Sequence, residues 1–406
     1  MNARGRLDEL ARATPTTRDR SIDFLRAASI VAVVFGHWFI GIIHWRDGLI
    51  WTTSAVGVTS WLWLGTWFLQ VMPVFFFVGG FSNLVSLESA RAHGQKTSWW
   101  LRGRLGRLLR PSLVFLGVWA VVQIGLHLLD VGAPAGPTLW NGTRLLRGMK
   151  PPGATVPFGP LWFLAVYVVV VAIAPATVAL DRRFGGWVPV TMGIGAVVVD
   201  VIGFGTGHPA VRWFNVAFVL LFAHQLGHLC GDGRLERAPR VLFWTMAIGG
   251  LLGLVVLTTS TAFRLFGPVR FEWFPTIGHY PKSLLGTDVE PISNAYPPTV
   301  CFLLGGIWSI GAVMLLRPWL RRWLDRERPW RLTIGVNAII MTLFLWHMTA
   351  YLLAILALWP LGLGHQADST ARWWAERPVW EAVPAAILAV MVLAVGRFER
   401  IRPRPA

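Results

Sequence analysis

The sequence predicts an all-α, polytopic membrane helical bundle of about ten transmembrane helices, with both termini cytoplasmic. Of 406 residues, 54% are hydrophobic and 14% are charged, and the chain contains 24 Trp and 24 Phe. A soluble chain of this length carries more charge and fewer apolar residues. Apolar runs long enough to cross a hydrocarbon core of about 30 Å recur along the chain. We therefore expect one integral membrane domain at 21–397, between cytoplasmic tails at 1–20 and 398–406.

Ten apolar runs are predicted to be membrane helices. They lie near residues 22–44, 61–88, 111–130, 160–180, 187–204, 212–230, 241–259, 299–316, 333–358 and 380–396. The second and ninth are longer than a straight crossing requires, so we expect a tilt or a break in each. Pro73 and the pair Gly79-Gly80 mark where the second run could break.

The basic residues predict the orientation. Of 37 Lys and Arg, 26 lie at residues 1–20 and 397–406 and in four connections, at 89–110, 181–186, 231–240 and 317–332. The opposite connections carry 10, and Arg26 lies within the first run. This bias places both termini in the cytoplasm and explains the net charge of +17 without a nucleic-acid partner. The large excess of Arg over Lys favours a bacterial source, and hence the inner membrane as the location.

Cysteine and histidine patterns bear on metal binding. With two cysteines in the chain, Cys230 and Cys301, a disulfide framework or a thiolate-rich metal cluster is excluded. The segment HQLGH (224–228) spaces two histidines as in a zinc-protease helix. However, Gln225 stands where such catalysis needs a glutamate, and no third ligand is evident. We expect no metal site, and interpret both histidines as packing or hydrogen-bonding residues.

The first run carries charges that lipid cannot solvate. At 100° per residue, Arg26 and His37 share a helix face about 16 Å apart along the axis. Asp23 lies one turn before Arg26, and His44 lies two turns after His37, so all four form one stripe. Such a stripe must face the bundle interior or a water-filled cavity. It suits an anionic ligand that enters from the cytosol, with Asp23 holding Arg26 and His37 transferring a proton. The alternatives are an interfacial ion pair that anchors the helix and a hydrogen-bonded interior histidine.

Several segments in order resemble the acyltransferase 3 family of integral membrane acyltransferases. They are DFLRAASIVAVVFGH (23–37), FFFVGGFSN (75–83), RGRLGRLLRP (102–111), PLWFLAVY (160–167) and FLWHM (344–348). The spacing between arginine and histidine in the first segment is the most specific part. One departure is that relatives commonly have Ser-Gly-aromatic at the second helix, whereas here Ser82 follows Phe81.

The resemblance implies transfer of an acyl group, often acetyl, from cytosolic acyl-CoA to a hydroxyl, typically of a sugar. Acceptors in such families include cell-surface polysaccharides, peptidoglycan and glycosylated natural products, so O-acetylation of a carbohydrate or glycosylated acceptor is expected. His37 corresponds to the family's essential histidine and Arg26 to its essential arginine. A neutral imidazole can act as general base, and Arg26 can bind the donor or stabilise developing charge. Acyl-CoA is a co-substrate, and no permanently bound cofactor is expected.

Further candidates follow from this interpretation. Four arginines on the approach to the third helix can bind coenzyme A phosphates, or can simply obey the positive-inside rule: Arg102, Arg104, Arg107 and Arg110. His347, Gly80 and Trp162 are other site candidates. Asp200 either lines an acceptor cavity or snorkels to the surface, and we favour the second.

Two other functional classes are consistent with the polar stripe. A proton-coupled transporter also uses buried Asp, Arg and His residues, although it predicts discontinuous helices in matching halves. A non-catalytic membrane scaffold would use the stripe for packing alone. Whatever the class, the long connections at 131–159 and 260–298 are expected to recognise a polar partner.

Overall fold

The structure is a computed structural model that describes residues 18–46, 49–128, 156–259, 280–287, 292–396 and 399. Predictions for the N-terminal tail fall mainly on residues 1–17, outside the described residues. Most of the connections at 131–159 and 260–298, and nearly all of the tail at 398–406, also lie outside them.

Helices dominate the described residues, as predicted. They are α1 (Arg20–Ile40), α2 (Ala55–Val58), α3 (Trp63–Leu69), α4 (Met72–Ala92), α5 (Thr97–Leu128), α6 (Leu161–Phe184), α7 (Trp187–Gly205), α8 (Asn215–Gly231), α9 (Arg240–Thr258), α10 (Val300–Leu324), α11 (Glu327–Asn337), α12 (Ile340–Leu358) and α13 (Ala371–Val395). Strands β1 (Gly41–Arg46) and β2 (Leu49–Ser54) form one antiparallel hairpin, and 3-10 turns cover Pro209–Phe214 and Trp359–Leu361. Ten helical segments of the described chain are long and apolar enough to cross a membrane, which confirms the predicted number.

The chain divides into two compact units. Unit 1 comprises Met1–Ser29, Ser60–Trp100 and Ala172–Ile334, and unit 2 comprises Ile30–Thr59, Leu101–Val171 and Gly335–Ala406. Within unit 1, α4 packs along α8 and α9 packs along α10. Within unit 2, α12 packs along α13.

The first helix ends before His44, so the prediction that His44 continues the helical stripe is wrong. Residues from Gly41 onward form β1, and His44 pairs there with Trp51 of β2. The helix ends because the guanidinium of Arg377 donates to the carbonyls of Trp38, Phe39 and Gly41 at 3.4, 3.3 and 3.1 Å. These carbonyls would otherwise need amide donors from another helical turn.

The two overlong runs are each broken, as expected. The second divides into α3 and α4 at residues 70–71, just before Pro73, whose ring favours a helix start. The pair Gly79-Gly80 instead lies inside continuous α4, so it is not the break point. The ninth run divides into α11 and α12 at residues 338–339.

The glycines of α4 and α8 serve close helix packing. A Cβ on Gly80 would lie 1.9 Å from the His224 carbonyl oxygen, and a Cβ on Gly227 would lie 2.0 Å from the Phe77 carbonyl oxygen. Small residues allow such close approach of two membrane helices. Gly80, a site candidate from the sequence, therefore occupies a packing position between α4 and α8.

Asp200 does not snorkel to the surface, contrary to the favoured prediction. Its side chain is fully buried in α7. One carboxylate oxygen accepts from Asn215 Nδ2 at 2.8 Å, and the other accepts from Tyr280 Oη at 3.0 Å and from the Val300 amide at 2.8 Å. These donors replace the water that a surface position would supply, and hold the start of α10 against α7.

A buried ion cluster joins the chain before α1 to α10 in unit 1. Arg317 is 3% exposed, pairs with Asp19, and donates to Ser21 Oγ at 3.1 Å. Burial alone would raise the pKa of the Asp19 carboxyl, but Arg317 and the hydrogen bonds from Ser21, Arg321 and Arg317 hold that pKa well below its usual range. Asp19 therefore stabilises unit 1 as a carboxylate.

We expect Asp19→Asn to destabilise the protein by about 2 to 3 kcal/mol at neutral pH, because the buried Arg317 would lose a charged partner. Since the folded-state pKa of Asp19 is lowered, its contribution is complete above the unfolded-state pKa of about 3.9 and is lost as pH falls towards the folded-state pKa. The melting temperature in detergent, followed from pH 7 to about 3, measures both effects. The variant should therefore lose less stability than wild type on acidification.

Asp325→Asn is the matched control. Asp325 also pairs with an arginine, Arg20, at 3.6 Å, but its side chain is 75% exposed. Exposed pairs contribute little, so this variant should melt close to wild type. Equal losses in the two variants would contradict a special role for Asp19.

Candidate active site

The polar residues predicted in the first turns of α1 contact each other in unit 1. Arg26 Nη1 donates to Asp23 Oδ1 at 3.0 Å, and Arg18 Nε donates to Asp23 Oδ2 at 2.5 Å. The Asp23 side chain is 7% exposed and that of Arg26 is 27% exposed. Asp23 thus orients one edge of the Arg26 guanidinium while the arginine remains partly accessible.

Ser82 of α4 holds the second edge of the same guanidinium. Arg26 Nη2 donates to Ser82 Oγ at 2.5 Å. Ser82 follows Phe81, whereas the resemblance in the sequence leads to a serine before the glycine of the same motif. On α4, position 82 lies about one turn after position 79, and from there the Ser82 hydroxyl reaches the Arg26 guanidinium. Arg26, Asp23 and Ser82 form what we call the arginine cluster.

His37 lies beside His347 of α12 in unit 2. His347 Nε2 is 3.3 Å from His37 Nδ1, and the two ring centroids are 5.2 Å apart. His347 is fully buried, whereas His37 is partly exposed. The structure thus brings together two histidines that lie 310 positions apart in the sequence, and we call them the histidine pair.

Backbone carbonyls determine which ring nitrogens carry hydrogen. His347 Nδ1 is 2.7 Å from the Phe344 carbonyl, and His37 Nδ1 is 2.8 Å from the Val33 carbonyl. A carbonyl can only accept, so each Nδ1 must be the donor in the neutral ring. His347 Nε2 then accepts from His37 Nδ1, which shares its hydrogen between two acceptors. The Nε2 lone pair of His37 is left available as a base.

Aromatic residues fix the histidine pair in place. Trp38 is fully buried, and its Nε1 donates to the His347 carbonyl at 3.0 Å. Phe344 lies 6.2 Å from His347 and 5.7 Å from Phe163, ring centre to ring centre. Trp162, predicted as a site candidate, is half-buried and contacts Phe163 edge-on at 6.4 Å. Trp162 is thus joined to the pair through a chain of ring contacts.

The four arginines predicted to bind phosphate lie on α5, which is helical from Thr97. Arg102, Arg107 and Arg110 are exposed, and Arg104 is half-buried. Arg107 and Arg110 are three residues apart on this helix, so they share a face. Exposed guanidinium groups on one face can reach an anion in solution, and they equally suit a membrane–water interface.

The histidines of HQLGH are core residues of α8. His224 and His228 are both fully buried. Asn83 Nδ2 donates to His224 Nε2 at 3.1 Å, and His228 Nδ1 donates to Gln225 Oε1 at 2.9 Å. Gln225 in turn donates to the Thr177 carbonyl at 3.2 Å. Among the described residues, no group of three potential ligands is placed to hold a metal ion.

Ten helices of the described chain are long and apolar enough to cross a membrane, and several charged and imidazole groups on them are buried. These features are those of an integral multi-pass membrane protein. The acyltransferase domain family, the acyltransferase 3 family, matches residues 19–396, nearly the whole chain. The chain therefore belongs to this family, which confirms the resemblance seen in the sequence, and it is a membrane acyltransferase in general terms. No curated protein and no solved structure is similar enough to the chain to count as a match.

Proposed function

We propose that this membrane acyltransferase moves an acyl group, acetyl in the simplest case, from acyl-CoA to a hydroxyl of a carbohydrate or glycosylated acceptor. The single observation that carries the proposal is the histidine pair. His37 keeps its Nδ1 hydrogen engaged with Val33 and His347, so its Nε2 can accept a proton. The bacterial inner membrane, with both termini in the cytoplasm, is the proposed location.

In the proposed reaction, His37 is the general base. Its Nε2 takes the proton of the acceptor hydroxyl while the hydroxyl oxygen attacks the thioester carbonyl carbon. The carbon–sulfur bond then breaks, and the coenzyme A thiolate leaves and recovers the proton from the imidazolium. A positioned base of this kind contributes about 10²- to 10⁴-fold to a rate. His347 holds the ring in the tautomer that this step requires, and so acts as a positioning residue.

Arg26 is proposed to bind an anionic part of the donor. Arg26 and His37 are eleven residues apart on α1, which corresponds to about 16 Å along the axis. Oxyanion stabilisation needs a donor within about 3 Å of the developing charge. An arginine side chain cannot cover that separation, so donor binding fits Arg26 better than charge stabilisation at the reacting carbon. The phosphates of coenzyme A lie far from its thiol along the pantetheine arm. Arg26 could therefore bind a phosphate while His37 acts at the thioester.

The exposed arginines of α5 are proposed to meet coenzyme A phosphates. With the arginine-rich connections in the cytoplasm, Arg102, Arg107 and Arg110 are exposed on the side of the membrane that holds acyl-CoA. Guanidinium groups bind phosphate through two parallel hydrogen bonds. The same arginines can bind phosphate and also contribute to the excess of positive charge on the cytoplasmic side.

The test uses purified protein in detergent with acetyl-CoA, in the presence and absence of a panel of soluble glycosides. Release of the coenzyme A thiol and formation of an acetylated glycoside are measured together. We expect thiol release that depends on the protein and increases with an acceptor. Proton-linked solute uptake by proteoliposomes, with no consumption of acetyl-CoA, would instead support a transporter and overturn the proposal.

His347→Leu should lower kcat about fivefold and leave the KM for acetyl-CoA close to wild type, because His37 would lose one hydrogen-bond acceptor, worth roughly 1 kcal/mol. His347→Gln places a carbonyl oxygen near the same position and should recover part of the loss. Steady-state kinetics of thiol release measure both variants, and the exposed His93→Gln is the control. If leucine and glutamine gave equal rates, a positioning role for His347 would be wrong.

A further inference from the structure

A cavity of about 180 Å³ opens between the start of α9 and the end of α10 in unit 1. Three arginines and one glutamate line it: Arg240, Arg317, Arg321 and Glu236. The remaining wall is apolar and includes Phe243 of α9 and Met314 of α10. The cavity thus combines a positively charged rim with an apolar wall.

The arginines that line the cavity differ in how many of their hydrogen-bond donors already have an acceptor. Arg317 is 3% exposed and is already engaged by Asp19, Ser21, Cys230 and Glu236. Arg321 is 47% exposed and meets both Asp19 and Glu236 through Nη2, which leaves Nε and Nη1 as further donors.

Arg240 is exposed at the first residue of α9 and has no hydrogen-bond or ion-pair partner within the part of the chain that the structure describes. The carboxylates of Asp19 and Glu236 offset the charges of Arg317 and Arg321. One uncompensated positive charge therefore remains at the cavity, and Arg240 carries it.

Exposed tryptophans mark this end of α9 and α10 as a membrane–water boundary. Trp244, one turn after Arg240, is 55% exposed, and Trp319 of α10 is also 55% exposed. Tryptophan is enriched where the headgroups of lipids meet the hydrocarbon core. The cavity therefore lies at the depth where a phospholipid presents its phosphate above its acyl chains.

We propose that this cavity binds one anionic phospholipid with a single negative charge, such as phosphatidylglycerol. Its phosphate accepts hydrogen bonds from Arg240 and from the remaining donors of Arg321, and its upper acyl chain lies against Phe243 and Met314. Basic pockets between membrane helices are suited to anionic headgroups. The single negative charge matches the single uncompensated positive charge, whereas a zwitterionic lipid would add a cation beside Arg240. This site is independent of the proposed acyl transfer.

Native mass spectrometry of delipidated protein tests the proposal, with phosphatidylglycerol and phosphatidylcholine titrated in parallel. We expect wild type to retain one phosphatidylglycerol about tenfold more tightly than phosphatidylcholine, a difference of about 1.4 kcal/mol, because the choline cation would lie beside Arg240. Arg240→Gln should abolish this preference. Arg183→Gln, a matched exposed arginine at the end of α6, should retain it.

Melting temperatures of both variants show that they are folded before lipid binding is compared. Equal preference in wild type and Arg240→Gln would overturn the site. Inorganic phosphate that displaced the lipid at equal concentration would also overturn the proposal, since the ligand would then be a soluble anion. Retention of the preference by Arg183→Gln together with its loss in Arg240→Gln would support it.

Discussion

Replacing His37 with alanine should reduce acyl transfer by about 10²- to 10⁴-fold, because the reaction would lose its general base. The KM for acetyl-CoA should change little, since the imidazole acts on the hydroxyl rather than on the donor's anionic groups. Steady-state rates of thiol release and of product formation, measured on protein with an unaltered melting temperature, give both parameters. Transfer at the wild-type rate to a verified acceptor would show that His37 is not the base.

His44→Ala is the matched control for this prediction. Both histidines lie in the motif-bearing segment at the start of the chain, but His44 is in β1 and His37 is in α1. Because α1 ends at Ile40, His44 does not share a helix face with His37. We expect the control to keep most of the activity. A loss as large as that of His37→Ala would contradict the assignment of the base to His37 alone.

Arg26→Lys should raise the KM for acetyl-CoA roughly 10- to 100-fold, with a smaller effect on kcat. Lysine keeps the charge but loses the planar fork that Asp23 and Ser82 hold from two sides. Each charge-assisted hydrogen bond contributes about 1.5 to 3 kcal/mol, so loss of one accounts for this range. The readout is the dependence of thiol release on acetyl-CoA concentration.

Two further variants test whether a change in KM for acetyl-CoA is specific to Arg26. Ser82→Ala removes one of the two groups that orient the guanidinium and should change the same parameter by a smaller factor. Arg18→Lys is the control, because Arg18 contacts the same Asp23 carboxylate but its side chain is 50% exposed. Unaltered KM and kcat in Arg26→Lys would remove Arg26 from the site.

Hydropathy predicted most of the fold because the bilayer imposes a minimum length of apolar sequence on each helix. The interruption beside Pro73 was predictable from proline stereochemistry. The end of α1 was not, because it depends on Arg377, which is 336 positions from Gly41. The apolar run simply continues through Ile42 and Ile43, so sequence alone extends the helix too far.

In the candidate site, too, the sequence predicts contacts within one helix but not contacts between distant helices. The contact between Asp23 and Arg26 follows from their spacing of three residues on one helix, and the sequence predicted it. The contact between Arg26 and Ser82, and that between His37 and His347, depend on the packing of distant helices. The burial of Asp200 cannot be predicted from the sequence, because its donors, Asn215, Tyr280 and the Val300 amide, come from three separate segments.

The Arg377 contacts have a consequence for how the protein is assembled during synthesis. The carbonyls of Trp38, Phe39 and Gly41 lie at the end of the first helix, and the guanidinium that satisfies them belongs to α13, the last helix described. Unpaired carbonyls are costly in a membrane. The helix end next to His37 thus reaches its final form only after α13 has left the ribosome. A chain that stops before α13 would insert its first helix but leave these three carbonyls without the guanidinium that satisfies them.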